Sequence, residues 1–229
     1  MNKINWKKYA IEFFSIFIAV VSAFALTNWN DNRNSELSEQ KILIEIKNGI
    51  EKDIQDFDSN ISGHNMSLKA NKVFRDLVEQ KNISQESIGL LYVSVFRDYS
   101  SLINRSGYES LKASGLKTIS NDSLRLQIIT LYDYYYGIVD IIDNVNEMQS
   151  FGNYFDPINK LLHPYMEFDS EGNLIKISEP KDLSEVQVKE VLSYLWRLEN
   201  NRKYKLAKFK SIMKIMKEVK KSIEQELKQ

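Results

Sequence analysis

Residues 9–27 read YAIEFFSIFIAVVSAFALT, a nearly continuous apolar run that ends at the polar residues 28–31, NWND. A helix of this length is about 28 Å long, close to the ~30 Å hydrocarbon core of a bilayer. Trp6, Tyr9 and Trp29 stand near the two ends of the run, where aromatic side chains anchor a helix at the membrane interfaces. The sequence therefore predicts a single transmembrane helix over residues 9–27.

A cleavable signal peptide is the alternative interpretation of this region. Lys3, Lys7 and Lys8 give it a basic start, and residues 23–25, AFA, fit a small-x-small cleavage site. The apolar run is longer than the roughly 7–15 residues of a signal-peptide core, which favours an uncleaved signal anchor.

The distribution of basic residues predicts the orientation. Three lysines precede the span, whereas Arg33 is the one basic residue in the stretch directly after it. The positive-inside rule then puts the N-terminus in the cytoplasm and the C-terminal domain on the opposite side, which for a bacterial inner membrane is the periplasm. We divide the chain into a basic segment (1–8), the span (9–27) and an extramembrane helical domain (28–229).

Glu12 is the one ionisable side chain inside the predicted span. Near the end of a span, its carboxylate can reach the headgroups or pair with Lys7 or Lys8. Alternatively, Glu12 faces other copies of the span, where it can bind a cation, take up a proton or pair with a basic residue. Glu12 is therefore the candidate functional residue within the membrane.

The composition indicates a helical protein, with 43% hydrophobic residues, 27% charged residues, eight glycines and three prolines. Apolar residues recur at three- and four-residue steps, which predicts long amphipathic helices over residues 37–80, from Asn121 or Asp122 towards 162, and from 182 to near the end. The final helix is expected to begin at a capping box of Asp182 and Glu185.

Shorter elements complete the predicted fold. Ser84 is expected to cap one helix, and residues 108–114 form another that ends at Gly115. Residues 165–168 and 174–177 flank a polar turn and predict a small β-hairpin. The sequence thus predicts an all-α fold, in which one N-terminal transmembrane helix continues into an elongated bundle of about four long helices, with a small hairpin insertion.

No catalytic or cofactor-binding motif is found. The chain has no phosphate-binding Gly-rich loop, no GxSxG, no HExxH and no cysteine. His64 and His163 are far apart in sequence and are interpreted as ordinary bundle or surface residues. Asp53, Asp56 and Asp58 are interpreted as solvated acids on a helix face. We therefore expect a protein that is not an enzyme and that uses no cofactor or metal.

Four tyrosines lie within five positions, at Tyr132, Tyr134, Tyr135 and Tyr136. Successive residues of a helix point about 100° apart, so the four rings cannot all enter one core. Core packing is assigned to Tyr132 and Tyr135, which leaves Tyr134 and Tyr136 as a candidate partner surface.

The final helix is basic and amphipathic. In a bundle with an even number of helices it returns towards the membrane, where Lys214, Lys217 and Lys221 are candidate contacts for anionic lipid. Attraction to acidic helices of the same bundle, with a solvated outer side, is the alternative. Nucleic acid is not an expected partner, because the net charge of the chain is zero.

Three elements resemble an uncharacterised family of single-span Bacteroidota membrane proteins, known as a domain of unknown function. They are YAIE at residues 9–12, LTNWND at 26–31 and GYESLKASG at 107–115. The resemblance implies a membrane address and a helical architecture, and no activity.

Two functions are expected from these observations. The first is a membrane-anchored, non-enzymatic scaffold or interaction protein that self-associates, or binds another envelope protein, through its span and its long first helix. Coiled-coil-like spacing from Leu43 to Leu68 motivates this expectation. The alternative is an ion-conducting or signal-transmitting assembly that uses Glu12.

Overall fold

The computed structural model describes residues 6–145 and 151–228, and only the backbone at residues 6–11, 145 and 151. Helix α1 runs without a break from Trp6 to Val78. Residues 12–38 of α1 are exposed on all sides, and a buried face begins at Ile42 and Leu43. The predicted span and the first bundle helix therefore form one helix, joined by a polar stalk at residues 28–38.

The remaining elements pack against the far part of α1. They are α2 (Ile88–Phe96), α3 (Ser106–Ser114), α4 (Asp122–Ile129), a π-helical turn (Thr130–Tyr135), α5 (Tyr136–Val145), α6 (Phe151–Leu162), β1 (Met166–Phe168), β2 (Leu174–Ile177) and α7 (Glu185–Glu226). Short 3₁₀ turns lie at Leu116–Thr118 and His163–Tyr165. The predicted mainly helical fold, with its long first helix and antiparallel hairpin, is confirmed.

Helix α7 runs antiparallel to α1 along the bundle. The rings of Phe57 and Phe209 lie 4.8 Å apart, and Asn71 Nδ2 donates to the carbonyl oxygen of Leu195 at 2.9 Å. Nearer the predicted span, Lys220 Nζ lies 3.1 Å from Glu51 Oε1. These pairs show that the two helices stay in contact over most of the length of the bundle.

Two apolar clusters form the core. The cluster nearer the predicted span joins α1, α3, α4, α5 and α7, and it includes Leu43, Ile46, Ile50, Phe57, Leu111, Leu131, Phe209 and Met216. The distal cluster joins α1, α2, α6, β2 and α7, and it includes Phe74, Leu77, Ile88, Ile158, Leu162, Ile177 and Leu195. The α1 segment between the clusters carries the buried polar residues Asn60, His64 and Ser67.

Local sequence explains several helix ends. Asn121 Oδ1 accepts a hydrogen bond from Leu124 N and caps α4, and Gly115 follows α3 with φ of +94°. The predicted capping box of Asp182 and Glu185 is wrong, because the chain enters α7 later. Ser184 and Gln187 form that box instead, with Gln187 N donating to Ser184 Oγ and Ser184 N donating to Gln187 Oε1.

The π-helical turn changes which tyrosine enters the core. A π turn adds one residue to a helical turn, so every later side chain is displaced by about one position relative to a regular α-helix. After the turn, Tyr136 and Val139 are buried, whereas Tyr135 and Ile138 lie at the edge of the cluster. The prediction that Tyr136 belongs to an exposed partner surface is therefore wrong.

Candidate functional site

A layer of polar and charged side chains separates the two apolar clusters. This charged layer consists of His64, Asp98, Asp143, Arg202 and Lys205. Lys205 of α7 is fully buried, and its Nζ lies 3.0 Å from Asp98 Oδ1 and 2.8 Å from Asp143 Oδ1. Burial, the largest effect, raises the pKa of Asp143, although its hydrogen bond with Lys205 acts in the opposite direction. A buried ammonium group is tolerable here because two carboxylates face it.

Arg202, one helical turn before Lys205, holds the end of α2. Its Nη2 donates to the carbonyl oxygens of Val95 at 2.7 Å and Arg97 at 2.9 Å, and its Nη1 donates to His64 Nδ1 at 3.1 Å. The carbonyl end of a helix attracts a cation, so Arg202 stabilises the C-terminus of α2. Burial lowers the pKa of Arg202 to about 10, which leaves the guanidinium charged at neutral pH.

His64 is held in one neutral tautomer by its neighbours. Nδ1 accepts from Arg202, and Nε2 therefore carries the proton, which it donates to the carbonyl oxygen of Tyr99 at 3.1 Å. Burial, followed by the charges of Lys205 and Arg202, lowers the pKa of His64 to about 4. A second proton would place a third cation inside this layer, which is why the imidazole stays uncharged at neutral pH.

Asp53 of α1 is buried beside the tyrosine cluster. Its Oδ2 accepts a hydrogen bond from the Tyr136 hydroxyl at 2.7 Å, and its Oδ1 accepts one from Asn104 N at 2.8 Å. Burial raises the pKa of Asp53 to about 6, more than these two hydrogen bonds lower it. The interpretation of Asp53 as a solvated acid is wrong, because Asn104, in the segment before α3, and Tyr136 of α5 cover it.

Side chains of α1, α5 and α7 hold the irregular segment at residues 97–105, between α2 and α3. Besides Asn104, the backbone N–H of Ser101 donates to Asp143 Oδ2 at 2.8 Å, and that of Leu102 donates to Asp56 Oδ2 at 3.0 Å. Asn60 Nδ2 donates to the carbonyl oxygen of Ser100 at 3.2 Å. Side chains from three helices thus bond to backbone groups that lie outside any helix or strand, and they fix the position of the segment.

The charged layer and the hydrogen bonds to residues 97–105 determine how the elements of the bundle pack. Each charged group of the layer faces a partner, and the hydrogen bonds set both the register of α7 on α1 and the path of residues 97–105. Within residues 6–145 and 151–228, no group of three or more histidine, aspartate or glutamate side chains is arranged to hold a metal ion.

The charged layer was missed by the sequence analysis, although the sequence carries a signal for it. Arg202 and Lys205 lie between Leu198 and Phe209 at steps of four, three and four residues, the spacing of a buried helix face. His64 follows Phe57 by seven residues on the buried face of α1. Charged residues at core spacing indicate a buried polar layer.

The other candidate residues lie apart from this layer. Glu12 is on the exposed first part of α1, and Trp29 is exposed next to Arg33, whose guanidinium lies 5.6 Å from the indole ring. The side chains of Trp6 and Tyr9 lie outside the described part of the chain. Tyr134 is 60% exposed, as predicted for a surface residue. His163, after α6, lies in a different part of the fold from His64.

Lys214, Lys217 and Lys221 are exposed on the outer side of α7. Their neighbour Lys220 pairs with Glu51, which lies roughly 36 Å along α1 from Thr27 at 1.5 Å per residue. If residues 9–27 cross a bilayer, contact of these lysines with it would therefore require α1 to lie nearly in the membrane plane. Lipid contact at this position stays a prediction.

One helix in the described part of the chain, α1, is long and apolar enough to cross a membrane, and none of its most apolar window is buried in the fold. The chain matches no protein-family model, no curated protein and no solved structure.

Proposed function

We propose that this protein is a single-pass, non-enzymatic scaffold of a bacterial inner membrane, with a cytoplasmic N-terminus and a periplasmic bundle. In this proposal, copies associate side by side through α1. The observation that carries it is the continuity of α1, which joins an uncovered apolar segment to a folded bundle through a helical stalk. The three elements that resemble the single-span membrane family fit the same proposal.

The surface proposed for self-association differs from the one that first motivated it. Leu43, Ile46, Ile50 and Phe57, from the stripe with coiled-coil-like spacing, pack inside the chain against other helices. That stripe is therefore not free for a second copy.

Leu37 and Ile44 are among the apolar side chains of α1 that remain exposed beyond the predicted span. Leu37 is 55% exposed and Ile44 is 44% exposed. They are seven residues apart and so share one face of the helix, the spacing of a coiled-coil seam. Seven-residue steps from Leu37 towards the span lead through the polar Asn30 to Ala23 and Ile16, a small and an apolar residue, so the same face of α1 also suits contact within the membrane.

Single-cysteine variants test this seam directly, because the natural sequence has no cysteine. Two anchored copies are parallel, so the same residue of each copy meets across the seam. We expect Leu37→Cys and Ile44→Cys to form disulfide-linked dimers on mild oxidation of native membranes, since bridged Cα atoms must lie within about 7 Å. Ser35→Cys, about 160° around the helix from Leu37, is the matched control and should stay monomeric.

Native mass spectrometry of the full-length protein in nanodiscs gives the second readout. A defined multimer is expected, together with cross-linking confined to the seam. A monomeric mass, or equal cross-linking at residues 35 and 37, would reject self-association through this face.

A signal-transmitting or ion-conducting assembly is the second candidate function. The continuity of α1 favours it, because a helix without a break carries a rotation or displacement of the span into the bundle. Glu12→Gln should then abolish cation flux in proteoliposomes, or the signal, while seam cross-linking persists. Glu36→Gln, on the exposed stalk, is the control. Flux that is absent from the natural protein, or unchanged in Glu12→Gln, would remove the reason for proposing an ion path.

A further inference from the structure

A groove runs between α7 on one side and α4 with the π-helical turn on the other. Leu126, Thr130 and Tyr135 line one wall, Ile215 and Val219 line the other, and the cavity volume is about 330 Å³. Leu126 is 64% exposed, although it is a large apolar side chain. The groove is therefore an accessible apolar surface with walls from two helices.

The π-helical turn builds one wall of this groove. Thr130 and Tyr135 are five residues apart, and residues at this separation align on one face only where the turn is π-helical. The same turn leaves Tyr134 on the outer surface, close to the wall. π turns occur frequently at functional sites, and this one has a direct effect on the shape of the groove.

A line of lysines lies beside the groove on α7. Lys210, Lys214, Lys217 and Lys221 are exposed at steps of four, three and four residues, a row about 16 Å long. Lys214 lies 3.9 Å from Glu218, which stands on the rim between the row and the groove. In the described part of the chain, Lys217 and Lys221 form no ion pair.

We propose that this groove binds an acidic amphipathic helix of a partner protein. The apolar side of such a helix would lie against Leu126, Tyr135 and Ile215, and acidic residues on its flank would face Lys214, Lys217 and Lys221. Apolar anchors at helical spacing with a charged flank are the common way in which a helix is recognised by a groove. Charge complementarity identifies the partner as acidic.

The position of the groove separates this partner from a lipid surface. The lysine row lies at the level of Glu51 on α1, roughly 36 Å beyond the end of the predicted span. Attraction to a charged bilayer falls off within about 8 Å at physiological ionic strength. With α1 upright, a protein helix reaches this surface and the headgroups do not. The inference does not depend on self-association through Leu37 and Ile44.

The probe for the test is a fluorescent synthetic helix of about 18 residues, with leucines on one face and glutamates on its flanks. A second peptide with lysine in place of every glutamate is the charge control. Binding to the full-length protein in nanodiscs of zwitterionic lipid is measured by fluorescence anisotropy at low and high salt. We expect the glutamate peptide alone to bind, and its affinity to fall as salt rises.

Variants of exposed residues test each half of the proposed contact. Leu126→Asp should weaken binding of the glutamate peptide about tenfold by loss of apolar burial, and joint reversal of Lys214, Lys217 and Lys221 to glutamate should weaken it at least as much. Glu218→Gln should strengthen it, because a carboxylate leaves the rim.

Matched controls make the same residue-type and net-charge changes at other exposed positions. Leu90→Asp, an exposed leucine of α2, and joint reversal of Lys117, Lys181 and Lys189 should leave peptide binding unchanged. Circular dichroism confirms that every variant is folded.

Several outcomes would overturn the proposal. Equal loss of binding in Leu126→Asp and Leu90→Asp, or no binding of the glutamate peptide, would reject the groove. Binding that depends on the lysines and not on Leu126 would indicate a cationic surface that attracts any anion. Binding of phosphatidylglycerol vesicles in place of the peptide would indicate lipid, and a changed oligomer mass in Leu126→Asp would indicate a second copy.

Discussion

Asp53 and His64 lie on one helix and have opposite effects on stability as pH falls, so replacing either one should reveal the other. The pKa of Asp53 is raised from 3.8 to about 6, and that of His64 is lowered from 6.5 to about 4. Each pKa unit corresponds to 1.36 kcal/mol, so each group changes the free energy of unfolding by ~3 kcal/mol across its window.

The sign differs because the two groups hold protons in different states. Asp53 takes up a proton more readily in the folded chain, so the folded state gains stability as pH falls from about 6 towards 3.8. His64 takes up a proton more readily in the unfolded chain, so the folded state loses stability as pH falls from 6.5 towards about 4. In the natural protein the two contributions nearly cancel between these values.

Asp53→Asn removes the contribution that raises the free energy of unfolding as pH falls. The amide oxygen can still accept from Asn104 N, and the amide Nδ2 can donate to the Tyr136 hydroxyl oxygen, which reverses the direction of that hydrogen bond. The substitution also avoids burying a charge at pH 7. We expect the variant to be more stable than the natural protein at pH 7, by on the order of 1–3 kcal/mol. We also expect that advantage to disappear between about pH 6 and 4, because Asp53 of the natural protein takes up its proton in this range and no longer buries a charge.

The assay is denaturant unfolding of the full-length protein in detergent, followed by far-UV circular dichroism at several pH values. The difference between variant and natural protein isolates the effect of Asp53, because every other titrating group contributes to both. Asp58→Asn, which replaces an exposed acid of the same helix, is the control. Parallel stability curves for Asp53→Asn and the natural protein between pH 7 and 4 would refute the reasoning.

Two further predictions concern the interior of the bundle. Lys205→Met leaves the buried Asp143 without its cation, and it should destabilise the protein by about 3–5 kcal/mol in the same unfolding assay; adding Asp143→Asn should recover part of this loss, and no recovery would contradict the pairing. Gly107→Ala would place a Cβ 2.6 Å from the backbone nitrogen of Ile46, so we expect the free energy of unfolding to fall by about 1–3 kcal/mol. Gly137→Ala is the control and should be neutral or stabilising, because its Cβ would have no atom within 4 Å. Equal effects of the two substitutions would contradict the close approach of α3 to α1.

Local sequence patterns were sufficient to predict the long first helix and the β-hairpin. The stripe from Leu43 to Phe57 indicated a helix that continues from the span, and the turn between residues 168 and 174 indicated the hairpin. Both follow from local patterns that need no knowledge of neighbouring elements.

The spacing of Arg202 and Lys205 indicated buried positions, but their partners come from elements far away in the sequence. Asp53 was interpreted as a solvated acid and His64 as an ordinary bundle or surface residue. In the fold, residues 97–105 contact both, α5 covers Asp53 and α7 covers His64. Tyr136 was assigned to the surface because a regular helix was assumed, and the π turn displaced the buried face by about one residue. Long-range contacts and a local change of helix type are both absent from a helical-periodicity analysis.

The pairing of the first and last long helices has a consequence for biosynthesis. Asn71 meets Leu195 from 124 positions away, and Glu51 meets Lys220 from 169 positions away. Helix α1 is synthesised first, yet the apolar face between Leu43 and Phe74 is fully covered only when α7 has been made. A chain that stops before α7 would leave apolar residues of both clusters exposed, and we expect such a product to be degraded or to aggregate rather than to form a partial bundle.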